Sequence, residues 1–280
     1  MIGSFLIFLR EGIEGSMVVS IILTYLASAG RKDLFRWVFA GVGSALLLSA
    51  IVGAGLYALV KGTFIGSTAQ TWFETVTFVV AVVILTSMTF WMKRNSRTLS
   101  ATVKHDLGSA LVMNSGFALA TVAFVTVGRE AIETAIFTLA IAFSTSPLNL
   151  LIGAVLGLAA ALALSLGMYR AGIRLNFKRF FSVLGVLLLL VAAGLLADAV
   201  ENLQALHVLP GGGQVLWHTG RWIAEDRGIG DILHGLLGYA DSPTALQLGV
   251  WALFLVLALA VFLDAPNRWR AARSEPARQP

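Results

Sequence analysis

Two charged pentads lie inside apolar stretches long enough to cross a bilayer. They constrain the fold of this chain more than any other feature. One is Arg10-Glu11-Gly12-Ile13-Glu14; the other is Arg129-Glu130-Ala131-Ile132-Glu133. A charged side chain at the centre of a membrane helix costs roughly 2.5–3.5 kcal/mol. Six of them, unpaired and facing lipid, would cost on the order of 15–20 kcal/mol. The chain must therefore turn both pentads toward a bundle interior, where they are paired or hydrated.

The background supports that setting. Of 280 residues, 58% are hydrophobic and 12% charged, against roughly 25% charged in a soluble domain. Mean hydropathy is +0.84. A soluble enzyme is excluded on this balance. The absence of cysteine excludes disulfides, thiolate metal sites and thiol nucleophiles within the chain. Residues Met1 to Leu9 resemble the start of a signal peptide, but no basic region precedes them and Arg10 and Glu11 interrupt the apolar run. An uncleaved first membrane helix is expected.

Seven spans meet the requirement of roughly 20 apolar residues for a membrane helix. They are 2–29, 37–60, 71–92, a fourth within 108–143, then 148–169, 180–202 and 245–263. The fourth stretch, at 36 residues, is long enough to be tilted, kinked near Gly116 or Gly128, or extended beyond the bilayer. The fold class is all-α, a polytopic membrane protein. Basic residues in 30–36, 93–107, 170–179 and the tail make up 15 of the 20 Lys and Arg, all on one side of the seven spans. By the positive-inside rule the N-terminus is outside and the C-terminus cytoplasmic. Lipid, and not nucleic acid, is the partner of this charge pattern.

Residue 129 minus residue 10 is 119, which places the pentads at matching points of two halves. Three spans per half would make the repeats inverted, a common transporter plan with a site near the midplane. The expected organisation is one membrane domain over 1–264, with repeat one at about 1–92 and repeat two at about 108–202. An external loop, 203–243, and a seventh helix, 245–263, follow, and the tail 265–280 is expected to be disordered. Gly153 and Gly157 form a GxxxG pair suited to close helix contact.

Positions three and four apart share a helix face. Glu11 and Glu14 therefore point together, with Arg10 able to reach Glu14; Glu130, Glu133 and Arg129 repeat this. If the two helices meet, four carboxylates converge as candidate metal ligands. With two arginines the formal charge is minus two, which a divalent cation cancels. Oxygen-only ligation favours iron, manganese, magnesium or calcium over copper or zinc. No histidine lies in a span, whereas a di-iron carboxylate enzyme wants Glu-x-x-His. The alternatives are buried ion pairs that fix helix register, another divalent cation such as manganese or lead, a membrane carboxylate–iron enzyme, and an external iron sensor. Glu74, Asp198 and Glu201 are candidates for an access path, or else interfacial acids. The loop's His207, His218 and His234 lack ligand spacing, so a folded lid is the expected role of that segment.

The doubled pentads over seven spans resemble the oxidase-dependent iron transporters, the high-affinity iron permeases of fungi and bacteria. The segment from Leu216-Trp217 to His234-Gly235-Leu236-Leu237-Gly238-Tyr239 with Pro243, and Gly194-Leu195-Leu196-Ala197, are similar to that family as well. The resemblance implies iron uptake across a cytoplasmic membrane, with Glu11, Glu14, Glu130 and Glu133 as ligands and Arg10 and Arg129 as the motif arginines. It implies no permanently bound cofactor, iron as the ion carried, and a separate extracytoplasmic oxidase or peroxidase and iron-binding protein as partners. A histidine often found in that family near the end of span six is replaced here by Asp198-Ala199-Val200-Glu201-Asn202.

Overall fold

The computed structural model describes residues 1–63, 66–95, 116–171, 177–211, 214–225 and 228–273. The basic residues Arg97, Lys104 and Arg174, the start of the long fourth stretch at 108–115, and the end of the tail lie outside the described residues.

Among the described residues there are seven long helices: α1 (Ile2–Ser28), α2 (Phe35–Thr63), α3 (Thr68–Asn95), α4 (Gly116–Ser144), α5 (Pro147–Ala171), α6 (Phe177–Ala205) and α8 (Ala245–Arg273). The short helix α7 (Gly228–Leu237) lies within the 203–243 segment. The only pairing of β type among the described residues is an isolated bridge between Val215 and Thr244. The described part of the long fourth stretch forms a helix of 29 residues, Gly116–Ser144, with no break at Gly128.

Local chemistry sets the helix ends. Thr244 and Gln247 make a capping box at the start of α8: Gln247 N donates to Thr244 Oγ1 at 3.1 Å, and Thr244 N donates to Gln247 Oε1 at 3.3 Å. Pro147 opens α5, where a missing N–H costs nothing. α1 closes on Gly30 at φ 71°, with Arg31 N bonded to Leu26 O at 2.9 Å. α6 closes the same way, but its left-handed residue is His207 at φ 58°, with Val208 N bonded to Leu203 O at 2.9 Å.

Among the described residues, five segments are long and apolar enough to cross a membrane: Lys32–Ala58, Thr68–Lys93, Pro147–Gly167, Arg179–Ala205 and Ala245–Leu263. α1 and α4 have 27 and 29 residues, comparable lengths, but each carries the three charges of its pentad. Leu46, Leu47, Ile51, Leu151, Val155, Leu253 and Leu257 are all exposed. In water such faces would aggregate; in a bilayer they are the solvated surface. The buried hydroxyls of Thr75, Thr77 and Thr89 donate to carbonyls one turn back on α3 at 2.6–2.8 Å, which meets the demand for internal satisfaction of polar groups in lipid.

The most extensive helix contacts pair α1 with α5, α2 with α4, and α3 with α6; α8 packs on α6, and α1 also touches α4. Small residues make the close approaches. A Cβ on Gly157 would lie 3.0 Å from Leu9 N and run into the Phe5 carbonyl; one on Gly12 would lie 2.8 Å from the Ala161 Cβ. The Gly153/Gly157 pair therefore seats α5 directly on the α1 backbone. On the other side, Gly41 of α2 faces the Ala120 carbonyl of α4. The central core joins Leu6 and Ile7 of α1, Phe78 and Leu85 of α3, Phe137 of α4 and Leu188 of α6.

Gly157→Leu is expected to destabilise the protein by about 1–3 kcal/mol through overpacking, seen as a lower unfolding temperature in detergent. Gly43→Ala, which meets nothing within 4 Å, is expected to leave that temperature unchanged or slightly higher.

Candidate metal-binding site

Helical period places Arg10, Glu11 and Glu14 on the inward stripe of α1, and all three are buried, at 1%, 5% and 6% exposure. Arg10 Nε donates to Glu14 Oε1 at 2.8 Å. Its Nη1 lies 3.3 Å from Glu11 Oε1, an ion-pair distance without hydrogen-bond geometry. Its Nη2 approaches the Met92 sulfur of α3 at 3.6 Å. One guanidinium thus holds two acids and is packed under α3.

The second pentad repeats the local geometry and differs in its surroundings. Arg129 Nε donates to Glu133 Oε1 at 3.0 Å, the same i,i+4 link. The Arg129 side chain is 53% exposed, against 2% for Arg10. Its guanidinium carbon sits 5.3 Å from the Trp91 ring centre, within cation–π range. Two identical sequence signatures therefore stand in different dielectric environments.

Between the helices, Glu11 and Glu14 of α1 and Glu130 of α4 each offer an oxygen, and these oxygens all lie within 4.8 Å of one another. Glu133 is not in this set; its Oε1 is taken by Arg129. Both oxygens of Glu11, Oε2 of Glu130 and Oε2 of Glu133 are buried without a hydrogen-bond partner. Ionised carboxylates have only acceptor capacity, so these oxygens call for a donor, water or a cation. This is the only group of three or more ligand-type side chains that meets in this way among the described residues, and it contains no histidine.

The outer acids are dispersed. Glu74 Oε1 accepts from Gln70 Nε2 at 2.7 Å, one turn before it on α3. Asp198 Oδ2 accepts from Ser144 Oγ of α4 at 2.6 Å and lies 3.8 Å from His234 Nε2. Glu201 Oε2 accepts from Gln247 Nε2 of α8 at 3.1 Å. It lines a cavity of about 660 Å³ with Gln204, His207, Pro210 and Thr244. The three loop histidines do not gather: His218 Nδ1 lies 3.4 Å from Ser242 Oγ, and His207 sits at the end of α6. Ser144 and Gln247, the partners of Asp198 and Glu201, carry no signal in the sequence, because separations of 54 and 46 residues leave no local pattern.

The chain matches a family model described as the iron permease FTR1 family over residues 1–266. It is 34% identical to the ferrous iron permease EfeU of Escherichia coli O6:H1, covering 94% of this chain and 95% of that protein. It is 32% identical to the EfeU ferrous iron permease of Yersinia pestis, covering 94% and 93%. No solved structure matches. The chain, with its paired pentads and its bundle of apolar helices, belongs to the FTR1 iron permease family.

Proposed function

We propose that this protein carries iron ions into the cell across the cytoplasmic membrane, through a carboxylate site formed by Glu11, Glu14 and Glu130. The observation that carries this reading is the meeting of those oxygens from two helices, several of them without partners, at the middle of α1 and α4. Membership of the FTR1 family and likeness to ferrous iron permeases supply the choice of iron. The protein is a transporter and not an enzyme.

Three carboxylates and the Arg10 guanidinium sum to minus two, so a divalent ion brings the site to neutrality. That favours Fe2+ at this stage of the route. The ion sheds part of its water shell and takes carboxylate oxygens in exchange. Arg10 competes with it for Glu14, which keeps binding weak enough for release, as conduction requires. Glu133 becomes a fourth ligand once Arg129 lets it go. Glu74 and Glu201, outside this set, raise cation concentration on the outer approach.

Seven membrane spans, with α1 and α4 added to the five apolar ones, put the N-terminus outside and the basic loops in the cytoplasm. The inverted repeat is supported by the packing. Exchanging α1 with α4, α2 with α5 and α3 with α6 maps the three principal helix pairs onto themselves. On this reading one membrane domain spans 1–264, its halves at about 1–92 and 108–202, followed by an external segment, 203–243, and the seventh helix. An extracytoplasmic oxidase or peroxidase and an iron-binding protein are the partners this reading calls for.

In proteoliposomes, Glu11→Gln and Glu130→Gln are each expected to lower radio-iron flux by more than about tenfold with insertion unchanged; wild-type flux in both would remove these acids from the route. Excess manganese or lead that abolishes uptake would instead reassign the ion. Arg10→Met leaves two buried acids uncompensated and is expected to cost about 3–5 kcal/mol in unfolding experiments. Arg129→Met, at a half-exposed position that holds one acid instead of two, is expected to cost less than Arg10→Met in the same experiments. Arg129→Lys is expected to retain only part of the flux, since a point charge replaces a planar fork.

A further inference from the structure

The helix α7 is fastened to the outer end of the bundle at three points. Asp231, 2% exposed, accepts from Asn149 Nδ2 of α5 at 2.8 Å and lies 3.5 Å from the Met1 amino nitrogen. The Gly235 carbonyl sits where a Cβ on Gly3 of α1 would be 2.8 Å away, and a Cβ on Gly194 of α6 would be 2.9 Å from Gly238 Cα. The third fastening is His234 against Asp198. Glycines with positive φ stand at both ends of α7, Gly228 at 54° and Gly238 at 67°, where the backbone can swivel without a Cβ penalty.

Beneath α7 lies a cavity of about 10 Å³ lined by Gly3, Ser144, Thr145, Asp198, His234 and Gly235, among others. That volume suits about one water molecule. Thr145 is 8% exposed, and its Oγ1 has no hydrogen-bond partner. The imidazole is oriented by chemistry. His234 Nδ1 lies 2.9 Å from the Tyr239 carbonyl oxygen, which can only accept, so Nδ1 carries a hydrogen. Nε2 is then the nitrogen that gains or loses a proton, and it points at Asp198 Oδ2 across 3.8 Å. With the proton, the contact is an ion pair that one water can bridge. Without it, a lone pair faces a carboxylate.

We propose that His234 and Asp198 form an extracytoplasmic proton-binding site that latches α7 onto the bundle. A proton on Nε2 holds α7 closed; its loss frees the helix to swing about Gly228 and Gly238 and opens the Ser144–Thr145 cavity to water. The charges facing His234 are Asp198 and Glu201 from α6 and Glu225 from the preceding segment; α4 contributes the neutral Ser144 and Thr145, and the Met1 amino group of α1 is held by Asp231. Burial alone would lower the His234 pKa, but Asp198, the Tyr239 carbonyl and the two glutamates outweigh it and hold the imidazole above its ordinary value. The latch is therefore fully engaged below the ordinary imidazole range and is lost as pH rises through the raised value.

The chain has no cysteine, so a single introduced thiol reports opening. Thr145→Cys is labelled in right-side-out membrane vesicles with an impermeant maleimide. Rates are normalised to Trp222→Cys, whose position is 89% exposed, to remove the intrinsic pH dependence of thiols. The normalised rate is expected to rise at least about fivefold between about pH 5 and 9. It is expected to lose this step in His234→Gln and in Asp198→Asn, and to stay low at every pH in His234→Arg, where the charge is permanent. A flat profile in the otherwise native protein overturns the proposal, as does a step that persists in His234→Gln. If His234→Gln does not fold, a step that persists in His234→Arg overturns it. The readout involves no transport, so its outcome is independent of the glutamate site.

Discussion

Every polar group that enters hydrocarbon must find its partner inside the protein, and the rest of this structure follows from how Arg10 meets that demand. Its guanidinium is almost completely buried, bonded to Glu14 and in ion-pair contact with Glu11. A lone arginine there would be prohibitive, and so would two lone acids. Together they tolerate burial while leaving Glu11 oxygens uncommitted. That surplus of acceptors, set beside Glu130, is the feature on which the proposed cation site rests.

Holding the acids together requires helices that approach closely without a hydrophobic drive between them. Small residues supply this. Gly153 and Gly157 let α5 lie on the backbone of α1, and Gly41 does the same for α2 against α4. Each pentad helix is thus backed by a neighbour that presents leucines and valines to lipid on its far side. The first pentad turns fully inward; the second does so only in part, because Arg129 keeps a half-exposed side chain while Glu130 and Glu133 face α1 less completely buried. α3 and α6 close the core through Phe78, Leu85 and Leu188.

The end of the bundle that carries α7 follows a different logic. There polar groups are numerous and water is near, so specificity comes from pairing across long sequence distances. Ser144 with Asp198 ties α4 to α6, Gln204 with Thr244 and Glu201 with Gln247 tie α6 to the start of α8, and Asn149 with Asp231 ties α5 to α7. Within the segment expected to form a folded lid, α7 packs on α1, α5 and α6, and its contacts include His234 beside Asp198.

Local rules made most of the helices legible. Hydropathy and the period of 3.6 place α1 at Ile2–Ser28, within one residue of the expected 2–29, and put Arg10 within reach of Glu14 and Arg129 of Glu133. Both follow from spacing along one chain segment, where a few residues fix the answer. Only the tertiary structure decided that α1 lies against α5 and α2 against α4, that three of the four glutamates gather while Glu133 stays with Arg129, and that His234 finds Asp198. These depend on which helix neighbours which, and the two pentads, alike in sequence, differ in exposure because their neighbours differ.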